Sequence, residues 1–176
     1  MNKLVIWLEE EASVDTVVLY GILAAFLTYA LKQTIDIALV NWNMMAAEPQ
    51  TDPLFGIRNA FTLTDIGLFG PFTEEFLFRF VPFTLLILGG VRAIRTLLIV
   101  NIVLAILFGS YHPYSFSGNL MVGVGAFLFG LVFLKGVGLT RNFGKALFVT
   151  TLSHSLTNCI MLFHAWWIYN GLVSKC

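Results

Sequence analysis

Three stretches of this chain contain no Asp, Glu, Lys or Arg: residues 16–31, 96–134 and 146–174. A helix crosses the roughly 30 Å hydrocarbon core of a bilayer in about 20 residues, so each stretch is a candidate crossing. The middle one is long enough to cross twice. Residues are 58% hydrophobic and only 11% charged, whereas a soluble domain carries about a quarter charged residues. Disorder and a soluble nucleotide-binding enzyme are excluded on the same ground. Ten Lys+Arg balance ten Asp+Glu, so the basic face needed to bind nucleic acid is missing. The expectation is an all-α, polytopic membrane helix bundle whose partner is the lipid bilayer, with no nucleic acid.

Five spanning helices are predicted, at about residues 16–40, 71–90, 94–111, 119–134 and 144–168. The second is expected to begin where Gly70-Pro71 breaks the chain, because proline suits a first helical position, and to kink at Pro82. Before it, residues 57–69 are apolar but interrupted by Arg58, Asn59 and Asp65, which reads as an interfacial or re-entrant segment. Lys32 and Asp36 stand four apart near the end of the first helix and can pair or snorkel. Ala126 and Gly130 have the small-xxx-small spacing that lets helices approach closely. With no internal repeat, residues 1–176 read as a single integral membrane domain. The N-terminal apolar run is short and followed by Glu9, Glu10 and Glu11, unlike a secretory signal. Cys159 and Cys176 are too few for a disulfide framework or a thiolate metal site.

Arg92 and Arg95 join the second and third helices; Lys135, Arg141 and Lys145 join the fourth and fifth. Positive loops stay in the cytoplasm. The loop at 41–58, the turn at 113–118 and the tryptophans Trp166 and Trp167 then face the other side.

Ionisable groups at bilayer depth are costly and generally face a polar cavity. Glu75 and Arg79 are four apart and share a helix face. Glu74 is turned about 100° from Glu75 and has no such local partner. One carboxylate is thus held by arginine and the other is left for acid–base chemistry. His112 ends its helix ahead of Pro113, and His154 and Asn158 stand four apart on the last helix. At 1.5 Å per residue Glu74 lies about 24 Å above Gly90, His112 about 26 Å above Arg95, and His154 and Asn158 about 13–20 Å above Lys145. All reach the same half of the bilayer. Taken singly, each has a plainer explanation: structural glue for the Glu–Arg pair, an interfacial position for His112, interhelical hydrogen bonding for His154 and Asn158. Asn101, Asp65 and His164 are lone polar candidates, the last reading as interfacial beside Trp166 and Trp167.

Glu-Glu-x-x-x-Arg (Glu74, Glu75, Arg79), Phe-x-x-x-His (Phe108, His112) and His-x-x-x-Asn (His154, Asn158) occur in that order on successive helices. This resembles the CAAX protease and bacteriocin-processing (CPBP) family of intramembrane proteases, over about residues 71–161. The resemblance implies an endopeptidase that cuts a membrane-associated or lipid-anchored peptide or protein with no cofactor. Glu74 would activate a water with His112, Glu75 held by Arg79 would shape the site, and His154 and Asn158 would stabilise the oxyanion. A zinc version would use Glu74, His112 and His154 as ligands. A non-catalytic scaffold or immunity protein and a small transporter are the alternatives from other classes. The loop charges put the site toward the extracytoplasmic side, which favours leader or C-terminal tail processing at a prokaryotic cell membrane.

Overall fold

In the computed structural model, which describes residues 3–41, 64–112, 116–138 and 141–173, all regular structure is helical. Helix α1 is Lys3–Glu9, α2 is Val14–Asn41, and α3 runs without interruption over 65–88. Helices α4 (Ile94–Tyr111), α5 (Phe116–Val137) and α6 (Phe143–Val173) follow. Four of them, α2, α4, α5 and α6, are long and apolar enough to cross a membrane. The fifth long helix, α3, carries Glu74, Glu75 and Arg79. Their outer faces present large apolar side chains such as Leu23, Phe26, Ile99, Ile106 and Phe163. On a soluble protein such a surface would be an aggregation site; on a chain of this kind it is the lipid face. This is a multi-pass membrane protein.

Helix α5 is the axis. Of its membrane-length stretch 61% is buried, against 28% for α2 and for α4 and 39% for α6. Small residues make that possible. A Cβ on Gly130 would fall 1.6 Å from Asn101 Oδ1, and one on Gly125 would fall 2.8 Å from Thr28 Cγ2. Neighbouring helices therefore approach α5 as closely as its backbone allows. Asn101 uses that proximity to donate to Phe127 O at 3.0 Å, so this lone polar candidate is an interhelical bond. Phe83, Leu97, Phe133 and Val137 join Leu8 of α1 in an apolar cluster at the end of the bundle where α1 docks. Above it Val17, Phe129 and Val149 tie α2, α5 and α6 together.

Gly70-Pro71 does not break the chain, contrary to the sequence expectation. The helix passes through it by widening: 65–69 is a π-helical turn, and Gly70 N–H donates to Asp65 O five residues back. The same device precedes the second proline, where 76–80 is π-helical and Val81 N–H donates to Phe76 O. A proline lacks the N–H of an α-turn, and its ring clashes with the carbonyl four residues back. A five-residue turn just ahead of each proline opens that crowded spacing, and such turns recur at functional sites. The described part of the segment expected to be interfacial or re-entrant, 64–69, is thus the start of α3. Residues 57–63, most of the 41–58 loop and the core of the 113–118 turn lie outside the described residues.

Candidate active site

Glu74 and Glu75 part as the helical period demands. Glu75 is fully buried, and its Oε1 accepts from Arg79 Nη1 at 2.8 Å. Arg79 is also buried; its Nη2 donates to Ala126 O at 3.0 Å, and the guanidinium lies over the Phe108 ring, 4.8 Å from the centroid. An unpaired charge at this depth would be strongly unfavourable, and the cation is neutralised, hydrogen-bonded and stacked at once. Glu74 instead keeps 34% of its side chain exposed. It faces a cavity of about 810 Å³ lined by all five long helices.

Both histidines turn toward that carboxylate. His112 Nε2 lies 4.0 Å from Glu74 Oε1, and His154 Nε2 lies 3.6 Å from Glu74 Oε2. Each is held through its other nitrogen. His112 Nδ1 donates to Phe108 O at 2.8 Å, which explains the Phe-x-x-x-His spacing as a ring bonded to its own helix one turn back. His154 Nδ1 donates to Glu75 Oε1 at 2.9 Å. A carboxylate and a carbonyl can only accept, so both Nδ1 atoms carry protons and both Nε2 atoms are presented to Glu74. The separations of 3.6 and 4.0 Å exceed a direct hydrogen bond and leave space for a small bridging molecule.

Asn158 lines the same cavity, and its amide donates to Ile66 O at 2.9 Å. This bond follows from Pro71. A five-residue turn would pair the Ile66 carbonyl with the N–H of residue 71, which proline lacks. The side chain of α6 fills the vacancy and ties α3 to α6 just above Glu74. Asn158 then keeps one amide hydrogen for another acceptor.

The six residues singled out from the sequence, Glu74, Glu75, Arg79, His112, His154 and Asn158, therefore converge. His164 does not; it stands with Gln33 and Tyr29 of α2, away from the cavity. Asp65 lines the cavity. Among the described residues, no group of three His, Cys, Asp or Glu side chains forms a metal-binding cluster. Two supports were not legible. Phe129 stacks on the His154 ring with centroids 5.2 Å apart. Asn119, with its amide nitrogen turned to α4, donates to Gly109 O and His112 O at 3.2 and 2.9 Å. Asn119 lies in the first turn of α5, inside the charge-free stretch at 96–134, where a polar amide near a helix start is the only hint.

The family model described as type II CAAX prenyl endopeptidase Rce1-like matches residues 57–160, more than half of the chain, a range that holds all six of these residues. No curated protein and no solved structure matches it.

Proposed function

The chain belongs to the type II CAAX prenyl endopeptidase family, and we propose that it hydrolyses a peptide bond of a lipid-anchored or membrane-associated substrate by a glutamate-activated water. The observation that carries this reading is the Glu74 carboxylate facing two imidazole Nε2 atoms across a cavity, beside a glutamate already neutralised by arginine. A water between them gives one proton to Glu74 while His112 orients it, and its oxygen attacks the scissile carbonyl carbon. The carbonyl π-electrons move to oxygen. That oxyanion is met by the remaining amide hydrogen of Asn158, with the His154 ring beside it. Collapse expels the amine, which takes the proton from Glu74. Glu75 acts at one remove: by accepting from Nδ1 it fixes the orientation of the His154 ring.

This reading routes no step through a metal. The loop cations favour a site toward the extracytoplasmic side of a prokaryotic membrane, with a leader or C-terminal tail as the released piece. A non-catalytic scaffold or a transporter would have no need of a half-exposed carboxylate aimed at two histidines. The test uses purified protein in liposomes with a farnesylated Cys-aliphatic-aliphatic-X reporter peptide. Wild type cleaves it, and Glu74→Gln and His112→Ala do not while remaining monodisperse. Cleavage at the wild-type rate by both variants rules the mechanism out.

A further inference from the structure

His112 stands just past the end of its helix. It follows the last residue of α4 with an extended backbone (φ −81°, ψ 137°), and Pro113 comes next. The last turn of a helix has carbonyls without an intrahelical donor, and at membrane depth each one left so is costly. At the end of α4 the donors come from two sides. The His112 ring takes Phe108 O, and the His112 N–H takes Gly109 O at 3.3 Å. From the first turn of α5, the Asn119 amide donates to Gly109 O at 3.2 Å and to His112 O at 2.9 Å. Those two carbonyls flank the point where the chain leaves the helix. Gly109 permits the approach: a Cβ there would fall 2.5 Å from the main-chain O of Asn119 and 3.1 Å from Gly123 N. Asn119 itself lines a separate groove between α4 and α5 with Ile106, Ser110 and Gly123, not the cavity that Glu74 and His112 share.

Resting on the protease reading above, we infer that Asn119 is a positioning residue for the reaction: it fixes where the His112 imidazole stands relative to Glu74, without touching substrate. The bond to Phe108 O sets the tilt of the ring, and the two bonds from Asn119 set the place of the backbone that carries it. An amide is the group this task needs. Two carbonyls require two hydrogens on one atom, which Asn supplies; a Ser hydroxyl has one and an ionised Asp none. The bond to His112 O also joins the two ends of the segment 112–119, so His112 takes its position from α5. Helix α5 already serves the other members of the site, through Ala126 O on Arg79 and the Phe129 ring on His154. One helix is thus the common reference for both imidazoles and the buried guanidinium.

The test compares wild type, Asn119→Ser and the near-isosteric Asn119→Asp in proteoliposomes with the farnesylated reporter peptide. A small misplacement of a catalytic group costs up to about a hundredfold in rate. Asn119→Asp should therefore lower kcat by about ten- to a hundredfold with KM within about twofold, and Asn119→Ser should fall between it and wild type. Magnetic resonance of isotope-labelled histidine gives a second reading, with the His112 signals assigned by their loss in His112→Ala. In wild type they should show one tautomer, protonated at Nδ1; in Asn119→Asp they should shift toward a mixture, while those of His164 stay in place. An unchanged kcat or unchanged His112 signals in Asn119→Asp overturn the positioning role and leave the protease standing. A fall in kcat accompanied by displaced signals from all three histidines and a lower melting temperature also overturns it, because Asn119 then only holds the fold. A wild type that cleaves no peptide overturns the protease reading and this inference with it. Should neither variant fold, slow exchange of both Asn119 amide hydrogens with deuterated water in the wild type supports the bridge, and exchange as fast as in an exposed asparagine overturns it.

Discussion

Among the described residues, Arg79 and Lys135 are both buried, and the bundle holds them by different chemistry. Arg79 is 2% exposed and is answered by a carboxylate one turn away, a carbonyl of α5 and an aromatic face. Lys135, also 2% exposed, lies about 14 Å further along α5 from Ala126, the residue that meets Arg79. Its ammonium donates to Trp7 O and, at 2.6 Å, to Glu10 O, and it sits over the Trp7 ring. Those carbonyls belong to the last turn of α1 and to the residue just past it, where a helix has unpaired acceptors and its negative dipole end. Lys145 adds a bond to Ala12 O at 3.2 Å. One pole of the molecule thus spends its cation on shaping a reactive carboxylate pair, and the other on fastening an N-terminal helix. The first belongs to chemistry and the second to assembly.

That contrast can be broken at either pole. Glu74→Gln should have the largest effect, a loss of cleavage of about 10³-fold or more with the melting temperature unchanged, read by peptide hydrolysis beside thermal unfolding in detergent. A fall in activity matched by a fall in stability would mean that Glu74 is structural. Glu75→Gln leaves a buried guanidinium without its counter-charge and should cost about 3–5 kcal/mol of stability. The paired replacement Glu75→Leu with Arg79→Met should recover much of that stability but none of the activity, because His154 has lost its acceptor.

Lys135→Gln comes next, at about 1–3 kcal/mol for carbonyls left unpaired. Proteolysis between α1 and α2 should rise, while kcat on the reporter peptide stays within about twofold. A large loss of kcat here would join the two poles and undo the distinction. The smallest change is expected from exhaustive chelation: cleavage continues at the same rate, and elemental analysis finds no stoichiometric metal. Loss on chelation with recovery on adding zinc would restore the metal version of the site.

What the sequence made legible is what acts locally or through composition. Charge-free runs predict the long helices, and the four-residue spacing of Glu75 and Arg79 predicts their bond because the helix itself brings them together. The split between Glu74 and Glu75 follows from the same period. The depth at which the histidines meet Glu74 also came from rise per residue alone. Legibility ends where partners come from distant parts of the chain. Nothing around His154 announces that Glu75 will accept from it, and Lys135 reads as a loop cation until α1 is seen to cover it. The expected helix start at Pro71 failed for a related reason. Local preference favours a break there, and packing of 65–69 against α6, with Asn158 on the Ile66 carbonyl, outweighs it.

The two wide turns of α3 also set a phase. A five-residue turn is an α-helix with one residue too many, so everything ahead of it is rotated by about 100° from where a regular helix would put it. The turn at 65–69 therefore decides which way Asp65 and Ile66 point relative to Glu74, and the turn at 76–80 decides how Glu75 is aimed relative to the apolar floor around Phe83. Each behaves as a one-residue spacer in a rigid shaft. Shortening either by a single residue would keep α3 helical and apolar in composition, yet would swing the two glutamates out of step with α5 and α6.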